Sequence, residues 1–323
     1  YFFLYILVSN LLTDKKQLKA FLWAGVVTAL IVGVFAYAHI GKVTRLYAPF
    51  DESIGAGTGE SATLGGYLLI ILCLSMTFFT QIPHLHAAFA GLALFVFLLP
   101  PFVLTLSRAS YVGLFAGLLT IVFFTRRRKI LLLSLLAVAA AGAPIVSPGL
   151  YGAAQRRLQE TFLTPASHLQ VSGWNVGLET SAAQRINSWR YAFSLWLPKH
   201  PLLGHGVTGV GLVDAQYPLI LGETGVLGFV AFGWLLWTLL KHTHRIYRRS
   251  QSGLDRGLSL GLLAACAGLC TQAFTTNTFI IVRIMEPFWF LAAVVMRLPS
   301  LSEPSVPATE PAGPPSLVPV GRP

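Results

Sequence analysis

Long apolar runs, separated by short polar segments, dominate the chain. Most runs are about 17 to 22 residues long, close to the length with which a helix crosses a hydrocarbon core of about 30 Å. Backbone groups find no water inside lipid, so runs of this length must satisfy their hydrogen bonds internally, as helices. The pattern predicts membrane spans at about 1–12 (incomplete), 20–40, 63–80, 87–106, 110–125, 130–148, 223–240, 258–275 and 278–297.

The composition agrees with this pattern. Of 323 residues, 54% are hydrophobic and 11% charged, with a mean hydropathy of +0.68, whereas a soluble domain carries roughly a quarter charged residues. The sequence therefore predicts an all-α fold, a polytopic transmembrane helical bundle. Because the chain begins at Tyr1 inside an apolar run, we expect earlier spans to precede it and infer no signal peptide.

Basic residues are concentrated at span ends that the span count places on one side of the membrane. They are Lys15, Lys16, Lys19, Arg126, Arg127, Arg128, Lys129, Lys241, Arg245, Arg248, Arg249, Arg256 and Arg297. The positive-inside rule makes this side cytoplasmic. The net charge of +11 therefore reflects membrane topology, and we expect no nucleic-acid partner.

The opposite side receives a long segment, about 149–222, which exceeds ordinary connectors and is rich in aromatic residues. Apolar residues recur at helical spacing from Arg185 to Leu197, which predicts an amphipathic helix on the membrane surface, ended by Pro198. Residues 1–298 are predicted to form the membrane domain. The Pro-rich segment 299–323 is predicted to be a disordered cytoplasmic tail.

Three arginines fall on the predicted outer side. Arg108 lies in a tight turn between two spans, and Arg185 and Arg190 flank Trp189 near the start of the surface helix. Taken singly, Arg108 could be a snorkelling side chain and the other two a solvated helix face. The guanidinium fork, however, binds phosphate oxygens bidentately. Binding of one shared anion would explain why all three arginines lie on the same side.

Candidate acids and bases follow these arginines. His200 and His205 flank a glycine-rich turn that matches no nucleotide fingerprint, and a lone histidine is more often structural than catalytic. Asp214 lies in a mostly apolar stretch where burial would suit it to proton transfer. Glu223 is predicted to stabilise the start of the seventh span. Arg283 and Glu286, at i and i+3 in the last span, are predicted to be a structural ion pair.

Four segments resemble, in order, motifs of the O-antigen ligase and O-antigen polymerase (Wzy-type) family of bacterial membrane proteins. They are TLGGYLLIILCLSM, LPPFVLTLSRASYVGL, RINSWRYAFSLWLPKHPLLGHGVTG and DAQYPLILGETGVLG. The likeness extends from about residue 20 to 297. Asp214 stands where ligases of the family carry a histidine, Ala215 where they carry asparagine, and Pro218 where leucine is usual. These departures favour a polymerase or an exopolysaccharide-type ligase.

The resemblance implies a GT-C-like glycosyltransferase in the bacterial inner membrane with its active site facing the periplasm. Its donor would be an undecaprenyl-diphosphate-linked glycan, and its acceptor a glycan or glycolipid hydroxyl. Arg108, Arg185 and Arg190 would hold the diphosphate without a metal or other cofactor. Asp214 would be the catalytic base, with His205 second.

Two functions without glycan transfer compete with this one. A lipid-linked oligosaccharide flippase would concentrate polar residues and broken helices near the bilayer midplane, whereas the spans here are nearly free of charge and polarity gathers in one outer segment. A sensor would need a cytoplasmic signalling domain, and the tail is short and Pro-rich. Ligase and polymerase both remain open.

Overall fold

The computed structural model describes residues 1–49, 60–125, 128–146, 148–163, 169–170, 177–178, 180–211 and 213–302. Over these residues the fold is a helical bundle, which confirms the predicted all-α class. The elements are α1 Phe2–Leu11, α2 Lys15–His39, α3 Ser61–Gln81, α4 Leu85–Leu104, α5 Arg108–Phe124, α6 Lys129–Val146, α7 Pro148–Leu163, β1 Leu169–Gln170, β2 Gly177–Leu178, α8 Thr180–Tyr191, a π-helix Ala192–Trp196, α9 Leu197–Lys199, α10 Gln216–Arg249, α11 Gly253–Gln272 and α12 Val282–Ser302.

Among the described residues, six helices are long and apolar enough to cross a membrane: α2, α3, α4, α10, α11 and α12. The remaining predicted spans correspond to shorter apolar helices, Phe2–Leu11, Arg108–Phe124 and Lys129–Ala139. The chain is therefore a multi-pass membrane protein. The predicted outer segment contains α7, a short antiparallel pairing of β1 with β2, and the surface helix.

Helix α11 lies at the centre of the bundle and packs against α3 and α5. Small residues let the backbones meet, because a Cβ added at Gly268 would lie 2.7 Å from the carbonyl oxygen of Gly113. A Cβ at Gly117 would likewise lie 2.7 Å from the Sγ of Cys73. Lipid tails are as apolar as the helices, so this close packing is what holds transmembrane helices together.

We expect Gly268→Val to destabilise the bundle, because its side chain would meet the backbone of α5. Overpacking of this kind typically costs about 1 to 3 kcal/mol, and thermal unfolding in detergent should report it as a lower Tm. Gly25→Val in α2 is the matched control, since nothing lies within 4 Å of a Cβ added there. An equal Tm for both variants would contradict this account of the core.

Hydrogen bonds bring the basic span ends together at one end of the bundle. Nη1 of Arg128 donates to the carbonyl oxygen of Phe79 at 2.7 Å, where α3 ends. Arg297, near the end of α12, donates to the carbonyl oxygen of Leu12 at 3.3 Å. We call this end of the bundle the basic end and the other the outer end.

Several helix boundaries differ from the predicted ones, and two of the differences concern the outer end and the predicted tail. Helix α10 begins at Gln216 rather than near 223 and is interrupted at Gly225 (φ 64°, ψ −164°). Glu223, predicted to stabilise the start of the seventh span, lies three residues before Val226, where the helix resumes, and its carboxylate accepts from the backbone N–H of Thr208. Helix α12 continues to Ser302, past the predicted boundary at 298. Residues 303–323 of the predicted tail lie outside the described residues.

Candidate active site

A polar cavity of about 270 Å³ opens at the outer end of the bundle. It brings together residues that are far apart in sequence, including four arginines and two carboxylates. The lining residues are Arg45, Glu60, Ser61, Ala62, Leu106, Ser107, Arg108, Arg157, Arg185, Asp214, Thr276 and Asn277. The excess of guanidinium groups over carboxylates makes this cavity suited to a multiply charged anion.

The turn between α4 and α5 supplies Arg108. Ser107 caps α5: its Oγ accepts from the N–H of Ser110 at 3.4 Å and from the Ser110 hydroxyl at 2.8 Å. Leu106 adopts a positive φ of 50°, which reverses the chain tightly enough to start α5 at Arg108. The N-terminus of a helix carries a partial positive charge, which adds to that of the guanidinium.

Arg45 is hydrogen-bonded to the same turn. Its Nε and Nη2 donate to the carbonyl oxygens of Thr105 and Leu106 at 3.4 and 3.3 Å. The N–H of Leu46 donates to the carbonyl oxygen of Leu104 at 3.0 Å. The segment after α2 therefore lies against the start of α5, with Arg45 and Arg108 on the wall of one cavity.

The turn between α11 and α12 holds Asp214 in place. Nδ2 of Asn277 donates to the carbonyl oxygen of Val213 at 2.6 Å. The buried side chain of Gln216 accepts from the N–H groups of Thr278 and Phe279 at 3.1 and 2.9 Å. Asp214 itself is exposed at the cavity wall, so the predicted burial of its carboxyl group was wrong, although its neighbours Val213 and Ala215 are buried.

The same turn positions the surface helix. The indole Nε1 of Trp189 donates to the carbonyl oxygen of Phe274 at 3.1 Å, and the two rings stack with centroids 6.0 Å apart. Arg185 precedes Trp189 by four residues and therefore lies on the same face of α8. This contact explains how a helix in the outer segment brings Arg185 to the cavity.

Two of the predicted site residues lie elsewhere. Arg190 is exposed on α8 and does not line the cavity. His205 lies in the loop before α10, where its Nδ1 is 3.2 Å from the carbonyl oxygen of Gly222 and its ring is 4.6 Å from that of His200. The cavity thus unites Arg108, Arg185 and Asp214 but not Arg190 and His205.

Sequence reasoning missed three charged residues of the cavity: Arg45, Glu60 and Arg157. Arg45 and Glu60 lie between the predicted spans 20–40 and 63–80, and Arg157 lies in α7, within the long predicted outer segment. The signal that could have identified them is that all three lie on the predicted outer side of the membrane. Charged side chains so close to an apolar bundle need a partner or an anion.

A second, apolar space of about 920 Å³ lies beside the cavity, between α2, α3, α4 and α12. We call it the apolar groove; its lining includes Leu22, Tyr67, Leu74, Phe78, Leu94 and Phe290. Residues 60–62 line the cavity, whereas Thr63, Leu64 and Tyr67 line the groove, so the first turns of α3 border both. Arg283 and Glu286, predicted to pair, both line the groove.

These features define a multi-pass helical membrane protein with a cationic cavity at one end and an apolar groove beside it. The O-antigen ligase family model matches residues 93–233. The match includes Arg108, Arg157, Arg185 and Asp214, and it confirms the resemblance inferred from the motifs. It supports an O-antigen ligase or polymerase type of function. Comparison with curated proteins returned no match.

Proposed function

We propose that the chain transfers a glycan from undecaprenyl diphosphate to an acceptor hydroxyl at the periplasmic face of the bacterial inner membrane. The observation that carries this proposal is the shared cavity of Arg108 and Arg185, completed by Arg45 and Arg157. A diphosphate offers several oxygens to such a set of donor forks. Arg190 and His205 have no part in the proposal because neither lines the cavity.

The transfer would proceed by attack of the acceptor oxygen on the anomeric carbon of the donor sugar. The bond from that carbon to the diphosphate oxygen breaks, and its electron pair stays on the diphosphate. Negative charge on the leaving group grows in the transition state, so guanidinium groups already in place lower the barrier selectively. Asp214 would accept the proton of the attacking hydroxyl. The arginines would neutralise charge without a metal ion.

The apolar groove supports a lipid-linked donor. It adjoins the cavity across the first turns of α3, so a ligand whose head occupies the cavity can extend an isoprenoid chain into it. Arg283, on the first turn of α12, lines the groove with Glu286 in the following turn. A soluble sugar nucleotide has no long apolar chain and would leave this groove empty.

Flippase activity is the rival function. Flippases and other transporters place substrate sites near the bilayer midplane, often at broken helices. Here the arginines line a cavity at the outer ends of the spans, and α10 is interrupted near its outer end. The position of both features favours chemistry at the membrane boundary.

Reconstituted protein supplied with a radiolabelled undecaprenyl-diphosphate-linked repeat unit tests the proposal. We expect release of undecaprenyl diphosphate with extension or transfer of the glycan, and the same rate in EDTA. Transbilayer movement of an unchanged donor would instead support a flippase and overturn the proposal. In cells, deletion of a polymerase should leave single lipid-linked repeat units, and deletion of a ligase should leave long ones.

A further inference from the structure

The interruption of α10 is filled by a preceding loop, residues 200–211, which we call the docked loop. A break in a helix leaves backbone groups without intrahelical partners. The docked loop supplies those partners in both directions. The backbone N–H groups of His205 and Gly206 donate to the carbonyl oxygens of Gly222 and Glu223, both at 2.9 Å. In the other direction, the N–H groups of Val226 and Leu227 donate to the carbonyl oxygens of Pro201 and Leu202, at 2.9 and 3.2 Å.

The docking is tight and leaves the loop little freedom. A Cβ at Gly225 would lie 2.4 Å from the carbonyl oxygen of Leu202, and one at Gly204 would lie 2.5 Å from that of Glu223. Both glycines also have positive φ, 64° and 68°, a conformation that glycine adopts without strain. The carboxylate of Glu223 adds a bond from the N–H of Thr208 at 2.7 Å.

The depth of the docked loop follows from the length of α10. The basic residues from Lys241 to Arg249 mark the headgroup region of the basic end. The apolar part of the helix, from Val226 to Leu240, is about 22 Å long at about 1.5 Å per residue, less than a hydrocarbon core of about 30 Å. Val226 is therefore expected to lie within the outer half of the hydrocarbon. Pro201, which is hydrogen-bonded to Val226, lies at the same depth.

At this depth the docked loop exposes large apolar side chains. Leu202, Leu203 and Val207 are 60%, 74% and 83% exposed. They continue a surface of α10 on which Leu227 and Val230 are 55% and 59% exposed, and α10 is one of the candidate membrane spans. Water would disfavour so many exposed aliphatic groups together, whereas acyl chains would accept them.

We propose that Leu202, Leu203 and Val207 form an apolar tip inserted among the acyl chains of the outer leaflet. The partner of this surface is lipid hydrocarbon. The exposed Lys199, just before the docked loop, lies where it can meet headgroup phosphates. Because α8 continues through the π-helix and α9 into the docked loop, the tip fixes the height of Arg185 above the membrane. The proposal does not depend on the reaction the cavity performs.

Nitroxide labels in proteoliposomes test the insertion. Labels at Leu203→Cys and Val207→Cys, in a background with the native cysteines replaced, are compared with one at Val230→Cys facing lipid and one at Gln155→Cys on the exposed side of α7. We expect the two tip labels to match the label at 230, with high collision rates for oxygen and low rates for a water-soluble nickel chelate.

Two outcomes would overturn the proposal. Nickel collision rates at 203 and 207 equal to that at 155 would place the tip in water. Low rates for both oxygen and nickel would mean that another polypeptide covers it. Each variant is first checked for an unchanged elution profile, and the second label site keeps the test decisive if one variant does not accumulate. Neither readout requires a glycan substrate.

Discussion

Arg185→Ala is expected to lower the glycan transfer rate of the reconstituted protein by about 100- to 1,000-fold, the effect typical of removing one donor aimed at developing negative charge. Arg185 reaches the cavity from α8, and Arg108 reaches it from the start of α5. Removing either guanidinium leaves the departing diphosphate less well stabilised. Arg185→Lys should recover only part of the rate, because an ammonium keeps the charge but loses the bidentate fork.

Arg190→Ala provides the matched control for this prediction. Arg190 lies on the same helix, is exposed and does not line the cavity. Exposed substitutions usually change energies by less than about 0.5 kcal/mol, so the rate should stay within about 2-fold of the wild type. Equal losses in the two variants would show that charge on α8 matters in general. An undiminished rate in Arg185→Ala and Arg108→Ala would refute the diphosphate site.

The spans were predictable because they depend on a local property. Each is a run of apolar residues long enough to cross a bilayer, and the positive-inside rule adds sidedness from charges next to the runs. The boundary error that affects the site was at the start of α10. The first turns of α10, Gln216 to Gly222, are buried against protein rather than lipid. Gln216 is polar and faces the turn after α11, so a hydropathy pattern does not identify it as part of a helix.

The cavity was only partly predictable because its walls come from long-range contacts. Arg108, Arg185 and Asp214 stood out through motifs and through charge in apolar surroundings. Arg45 gave no such signal, since its position depends on hydrogen bonds to Thr105 and Leu106, about sixty residues later. Asn277 likewise supports Val213 across a sequence separation of 64 residues. No local pattern encodes either pairing.

The adjacency of the cavity and the apolar groove links the fold to the proposed chemistry. Small residues at Gly113 and Gly268 draw α5 and α11 together beside α3. The first turns of α3 then separate a charged space from an apolar one. An amphiphile can place its charged head in the cavity and its long apolar chain in the groove at the same time. Neither space alone would select a polyprenyl diphosphate.

Asp214→Asn is expected to lower kcat for transfer by about 100- to 10,000-fold, the range typical of removing a general base. The amide has nearly the shape of the carboxylate but accepts a proton poorly. Removing a negative charge from a cavity with four arginines should leave donor binding equal or tighter. The expected signature is therefore a loss in kcat without a rise in the donor KM, measured by initial rates over a range of donor concentrations.

Glu60→Gln is the comparison that makes this prediction specific, because Glu60 is the other carboxylate lining the cavity. It occupies the N-cap position of α3, and its Oε2 accepts from the hydroxyl of Thr63 at 3.0 Å. Thr63 borders the groove, so loss of this charge should alter donor KM more than kcat. The reverse pattern, with kcat lost in Glu60→Gln and retained in Asp214→Asn, would transfer the role of base to Glu60.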